Sequence, residues 1–353
     1  MAIQKEVFGT MPDGREVECY TLTNQNGVSA SFITLGAVWV TMRVPDREGR
    51  LEDVVLGYDT VENYLENPPH FGAPIGRNAN RIGGACVTID GKDYPLEANN
   101  GPNNLHSGPA YYHARLWQAK AVPGDGEDRV EFFLESPHMD QGYPGNARIR
   151  VSYRLRDDNR LSLEYWMVSD RDTIANFTNH SYFNLAGHKA GDILNQLVWI
   201  DADAYTPADA DSIPTGELAP VEGTPMDFRQ MKAIGRDLEE PFEALVLGQG
   251  YDHNWVLNHP AGQLSLCAKA KDPASGRVME VYTDLPGMQF YTANFLANQL
   301  PGKEGAEYGR RSAYCFETQY YPDAVHKPQF PSPFLKAGEE YRTVTVYRFG
   351  TEE

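Results

Sequence analysis

A mostly antiparallel β fold, a sandwich or a barrel, is predicted by three features of the sequence. Apolar and polar residues alternate over long stretches, Gly and Pro punctuation is dense, and the strand, helix, strand rhythm of a parallel α/β fold is missing. The 32 Gly and 24 Pro residues exceed average usage and favour many short elements joined by turns. The 20 Tyr and 15 Phe add side chains suited to half-buried pleated surfaces.

Taken along the chain, a short helix is expected at residues 60–65 and a hairpin around Asp90 and Gly91. The clearest alternation sets Ile149, Val151, Tyr153 and Leu155 against Arg150, Ser152, Arg154 and Arg156. Only a half-buried strand has that period of two. Asp157, Asp158 and Asn159 then turn the chain, and Leu161, Leu163 and Tyr165 resume the pattern, so the segment reads as an antiparallel hairpin. A second short helix is expected at residues 230–238, another hairpin at 273–276, and a closing strand at 341–349. Low-complexity linkers, like-charge blocks and fixed-period repeats are missing, so one large domain over residues 1–353 is preferred to two.

Composition narrows the function. With 41% hydrophobic and 23% charged residues the chain can bury a real core. A formal charge of −18 repels a phosphate backbone and an anionic membrane surface, so neither nucleic acid nor membrane is an expected partner. Cys19, Cys86, Cys267 and Cys315 never form a CxxC pair and read as buried free thiols. No apolar run approaches the ~18 residues of a membrane span, and no signal peptide is recognisable at the start. A cytoplasmic location is expected, as a monomer or a homodimer.

Five polar, turn-rich segments interrupt the strands and are candidates to carry a site. Residues 71–84 hold Arg77 and Arg81 among Gly and Asn; composition alone favours a loop whose arginines pair with surface carboxylates. A phosphate loop is excluded there because GxxxxGK[ST] is missing. Residues 99–108 hold His106, and residues 176–188 hold His180 and His188, each of which starts as a structural histidine. No metal-ligand spacing such as HExxH occurs in either. Residues 250–257 hold Asp252 and His253 ahead of an apolar strand. Residues 315–333 hold Glu317, embedded in Cys, Phe and Tyr, which is either a desolvated acid or base or a strand-end carboxylate facing solvent. Together these segments offer the Asn, Asp, His and Arg side chains that suit a neutral, hydroxyl-rich ligand.

In order, GAPIGRNANRI, PNNLHSG, DQGYPGN, TNHSYFNLAG, YDHNWVL, MQFYTANFL and ETQYYPDAVHKPQFPSP resemble the segments of the aldose 1-epimerases, or galactose mutarotases. That resemblance implies a large antiparallel β-sandwich with a few short helices. It implies an isomerase that interconverts the α and β anomers of aldoses such as galactose and glucose, without cofactor or metal. By resemblance His180 is the general acid toward the ring oxygen, Glu317 the general base on the anomeric hydroxyl, and His106 a further catalytic contact. Asn80, Arg81 and Asp252 bind sugar hydroxyls, and Gln289 lines the pocket. Ser107 and Pro74 depart from the family pattern without touching these positions. Three other readings stand beside this one: a hexose 6-phosphate mutarotase, for which only Arg310 and Arg311 cluster, a glycoside hydrolase using Asp252 and Glu317, and a sugar-binding module without catalysis.

Overall fold

The computed structural model describes residues 2–124 and 127–352. It is an antiparallel β-sandwich with helices only at Val61–Glu66 and Glu243–Gly248 besides single 3-10 turns among those residues. A nine-stranded sheet runs in the order Gln118–Val122, Arg129–Ser136, Ala147–Leu155, Arg160–Ser169, Glu340–Thr351, Arg277–Thr283, Ser265–Lys271, Leu197–Ile200, Lys232–Ala233. A five-stranded sheet of Ala219–Pro220, Ala202–Thr206, Asp252–Leu257, Gly287–Tyr291 and Cys315–Gln319 packs against it. The first five strands, from Ala2–Thr10 to Leu51–Asp53, form a third sheet.

The alternation behaves as expected. Arg160–Ser169 alternates strictly between half-buried and buried, and its partner Ala147–Leu155 buries Ile149, Val151, Tyr153 and Leu155. Ser152 is buried too, where period two would have put it outside. Aromatic side chains join the sheets. Phe32 stacks on Tyr153 at 4.0 Å, Trp39 meets Tyr347 at 5.4 Å, and the Tyr347 hydroxyl donates to the Phe316 carbonyl at 3.3 Å. The two-residue turn Asp90-Gly91 has both φ angles positive, at 50° and 75°, as the tight hairpin joining Cys86–Ile89 to Lys92–Pro95 requires. The turn at 273–276 joins Ser265–Lys271 to Arg277–Thr283.

The first expected helix forms at Val61–Glu66, capped by Thr60 Oγ1, which accepts from the Asn63 amide at 3.3 Å. The second does not form. Lys232 is buried, its ammonium donating to the Pro225 carbonyl and to Asp237, each at 2.6 Å, and this pins Lys232–Ala233 to the sheet edge. Gly235 then packs tightly on Leu194, where a helix could not follow. The helix of this region lies later, at Glu243–Gly248. All four cysteines are free thiols; Cys19, Cys267 and Cys315 are buried, but Cys86 is only half-buried, at the start of a hairpin strand. Among the described residues no helix is long and apolar enough to cross a membrane.

Candidate active site

A cavity of about 420 Å³ opens where the five-stranded sheet meets the loops. Three adjacent strands present Asp252, Gln289 and Glu317, and the register sets Gln289 directly opposite Glu317. The histidines come from loops tied to short ladders. Thr178–Asn179 pairs with Pro74–Ile75, and the His180 amide donates to the Ala73 carbonyl at 2.9 Å. Asn104–Leu105 pairs with Arg81–Ile82, and the His106 amide donates to the Asn80 carbonyl at 3.0 Å.

Six of the seven expected residues, His180, Glu317, His106, Asn80, Arg81 and Asp252, line the cavity. Gln289 does not. It lies one layer behind, 4% exposed, donating from Nε2 to Asp252 Oδ1 at 2.8 Å and accepting from Gln319 at 3.3 Å. Its place in the structure is to aim the Asp252 carboxylate. His70, Asn100, Tyr182, Tyr291 and Phe295 are among the further residues of the wall and were not anticipated. Tyr182 stands two residues after His180 and stacks on its ring at 5.0 Å, so it was within reach of the motif. Phe295 remains 54% exposed at the rim, its ring parallel to Tyr291, and offers an apolar face to an entering ligand.

Glu317 is no solvent-facing carboxylate. It is 2% exposed, and Oε2 lies 3.7 Å from His180 Nε2 with no hydrogen-bond partner of its own. Burial pushes the Glu317 carboxyl well above its ordinary range, reinforced by Asp252 and opposed by Arg81. Burial pushes His180 down to about 3, reinforced by His70 and opposed by a hydrogen bond to its own carbonyl. Both directions favour an uncharged pair, a carboxylic acid beside a neutral imidazole, whereas the general-base and general-acid roles implied by the resemblance need an ionised Glu317 and a cationic His180. The two forms are tautomers, because they differ only in which partner holds the one shared proton.

His106 accepts from the Asn80 amide through Nδ1 at 3.1 Å, which leaves the proton of a neutral ring on Nε2. Ligand atoms of His106, His180 and Glu317 lie within 4.8 Å of one another, close enough for a metal ion. A protonated Nε2 cannot coordinate, so this triad fits hydrogen-bond donation better than metal binding.

The two arginines of residues 71–84 do different work. Arg77 is fully buried and pairs with no surface carboxylate; it donates to the carbonyls of Pro144 at 2.7 Å, Gly145 at 2.9 Å and Ser136 at 3.2 Å, and to the hydroxyls of Ser136 and Thr173. Arg81 lines the cavity and donates from Nε to Asn100 Oδ1 at 3.0 Å. Ser107 supports this loop by donating to the Asn78 carbonyl at 3.0 Å and accepting from the Asn78 amide at 2.9 Å.

Burial also depresses the pKa of His106 and His113 well below the ordinary value, and brings His70, His188 and His253 to about 4. A histidine whose folded pKa lies below 6.5 is neutral in the folded chain while the unfolded chain takes up a proton. Stability is therefore expected to fall as pH drops from about 6.5 toward 4, by about 1.4 kcal/mol per pH unit for each proton of difference. Glu317, with its raised pKa, opposes this with a single proton. Thermal melts between pH 4 and 7 check the slope, and a flat profile would contradict it.

The chain matches the family model described as aldose 1-epimerase over residues 18–348. It is 43% identical over 350 residues to the galactose mutarotase of Bos taurus and 42% identical over 349 residues to that of Homo sapiens, covering 99% and 98% of those proteins and 99% of itself in each case. It is 36% identical to the aldose 1-epimerase of Escherichia coli strain K12, with 97% of both chains covered. A solved aldose epimerase homologue from C. elegans superposes with a TM-score of 0.84 at 29% identity, covering 94% of this chain and 98% of that one. A galactose 1-epimerase from Lactobacillus acidophilus NCFM shares the fold with a TM-score of 0.88 at 24% identity, both chains being covered completely. A pocket of two histidines and a buried carboxyl on this sandwich, carried by a full-length sequence match, places the chain in the aldose 1-epimerase family of isomerases.

Proposed function

We propose that the protein interconverts the α and β anomers of aldoses, galactose and glucose among them, with Glu317 and His180 moving the protons. The observation that carries this reading is the unpaired, buried Glu317 Oε2 facing His180 Nε2 at 3.7 Å across the wall of a polar cavity.

In the reactive tautomer the Glu317 carboxylate takes the proton from the O1 hydroxyl. The C1–O5 bond breaks, its electron pair stays on O5, and O5 receives the proton from His180 Nε2. An open-chain aldehyde results, with Glu317 protonated and His180 neutral. Rotation about C1–C2 turns the other face of the carbonyl to O5. His180 then takes the O5 proton as O5 attacks C1, and Glu317 returns a proton to O1. The pair holds one proton at every stage and resets itself. Each partner is worth ~10²–10⁴ in rate.

The uncharged tautomer that burial favours is the one the pair adopts with the open-chain aldehyde bound. Arg81, whose charge pulls the Glu317 pKa down, biases the pair back toward the reactive form. His106 Nε2–H supports the oxygen on which charge develops, and Asp252, Asn80 and Arg81 bind the remaining hydroxyls. Loss of activity is expected on both sides of a pH optimum, as the pair gains a second proton or loses its only one. Polarimetry of freshly dissolved α-galactose and α-glucose tests reaction and sugar class together; binding without acceleration would leave a sugar-binding module instead.

A 6-phosphate as the natural substrate is disfavoured. Arg310 and Arg311 lie outside the cavity lining; both donate to the Gln249 carbonyl, and Arg311 also holds Asn294 and Thr292.

A further inference from the structure

Arg81 reaches the cavity from a segment with little regular structure of its own. Its ladder with Asn104–Leu105 is two residues long, and beyond Ile82 the chain leaves the pairing in a single 3-10 turn at Gly83–Ala85. Among the described residues the Arg81 side chain has one hydrogen-bond partner, Asn100, which accepts from Nε at 3.0 Å. So short a ladder and one side-chain bond do not fix where a long, rotatable guanidinium points. The placement of Arg81 therefore depends on what holds its backbone.

Asp323 holds it, from the turn that follows Cys315–Gln319, the strand of Glu317. Its amide donates to the Arg81 carbonyl at 2.9 Å, and its Oδ1 accepts from the Gly83 amide at 2.9 Å. One residue thus grips the chain on both sides of Ile82, which is itself fully buried. A Cβ placed on Gly83 would lie 3.5 Å from Oδ1, so the carboxylate rests directly on this backbone. The adjoining amides are held by side chains as well, that of Arg81 by Asn80 Oδ1 at 2.8 Å and that of Gly84 by Asn103 Oδ1 at 2.9 Å.

Asp323 is fixed in turn by its own neighbours. Oδ1 accepts from His326 Nδ1 at 2.6 Å and Oδ2 from Lys327 Nζ at 2.8 Å, and the side chain is buried. Burial alone would push its carboxyl up; hydrogen bonds from His326, Lys327 and the Gly83 amide outweigh that and hold it below the ordinary value. Asp323 therefore stays charged, with both oxygens aimed. Its φ of +53° is a conformation that Asp tolerates and that these contacts maintain. Asp323, His326 and Lys327 all lie outside the cavity lining, so the network meets a ligand only through the segment it holds.

We propose that Asp323 is a positioning residue for Arg81, holding the backbone of residues 81–83 through the Gly83 amide so that the guanidinium stays at the cavity wall. This rests on the mutarotase reading above. Because the turn of Asp323 continues the strand of Glu317, the same contact ties the Arg81 charge to the carboxyl whose pKa it lowers.

The test is a double-mutant cycle on kcat/KM for α-galactose, built from Asp323→Gly, Arg81→Met and the two together. Gly keeps the positive φ without strain, so what it removes is the carboxylate. Asp323→Gly is expected to lose about 10-fold, and less than about 2-fold further when Arg81 is already Met, because a residue that acts through Arg81 then has nothing to position. Asp323→Asn keeps an acceptor for the Gly83 amide and should stay within about 3-fold of wild type, while its thermal midpoint drops with the loss of two ion pairs. A carboxylate that served the fold alone would lower kcat/KM equally in both backgrounds, or not at all, and either result would overturn the proposal. An Arg81→Met chain as active as wild type would do the same. If Asp323→Gly does not accumulate, Asp323→Asn decides the matter, since a loss as large as that of Arg81→Met would contradict the role of the Gly83 contact. Failure of the wild-type protein to accelerate mutarotation of any aldose would instead remove the mutarotase reading, and this assignment with it.

Discussion

Glu317→Gln is expected to lower mutarotation of α-galactose at least ~10³-fold in polarimetry while leaving the thermal midpoint unchanged or higher. Gln has the shape of Glu but cannot take the O1 proton. It removes little from the fold, because Oε2 makes no hydrogen bond and a buried carboxylate is a cost to the folded state. His180→Asn should lose activity to a similar degree by depriving O5 of its proton donor. The double variant is the sharper measurement. Two groups that hand one proton back and forth act as a unit, so losing both should cost little more than losing either. Near wild-type rate in either single variant would end the assignment, and fully additive losses would show that the two act in separate steps.

Arg77→Met is expected to destabilise the fold by about 3–5 kcal/mol, or to prevent its accumulation, although Arg77 is outside the cavity. The guanidinium satisfies four backbone carbonyls and two hydroxyls in a site with no water-facing edge. Met would fill much of the volume and leave those oxygens without donors. Lys keeps the charge but not the planar fork, so Arg77→Lys should recover only part of the loss. Thermal and urea denaturation measure both. Because Asn80 and Arg81 follow on the same segment, the variant should also raise KM more than Glu317→Gln does; unchanged stability would mean the carbonyls find other partners.

The parts of the site that were legible in the sequence are those carried by short ordered motifs. His180, Glu317, His106, Asn80, Arg81 and Asp252 each sit in a segment whose neighbours specify a local turn or ladder, and the structure gathers all six at one cavity. Depth was not legible. Gln289 and Asp252 lie on neighbouring strands, and only the three-dimensional register shows that one orients the other. Arg77 and Arg81 look alike as text, four residues apart, but one enters a nest of carbonyls and the other the cavity. His70 stands two residues before GAPIGRNANRI and meets His113, which is remote in sequence. The missed helix at 230–238 has a similar origin. Lys232 reads as a solvated residue on a helix, yet Asp237 and a carbonyl bury it. Tertiary partners override local pattern wherever a charged side chain finds enough of them.

The place of the strand Glu340–Thr351 has a consequence for how the molecule is made. It lies in the interior of the nine-stranded sheet, pairing through residues 340–348 with Arg160–Ser169 and through residues 345–351 with Arg277–Thr283. Until it inserts, the sheet is two fragments with open facing edges, the form most prone to pair with other chains. During synthesis the gap cannot close before Glu340–Thr351, which follows the other strands of the sheet in sequence, has emerged. Refolding should therefore be slow and concentration-sensitive, with recovery of activity lagging behind recovery of strand signal.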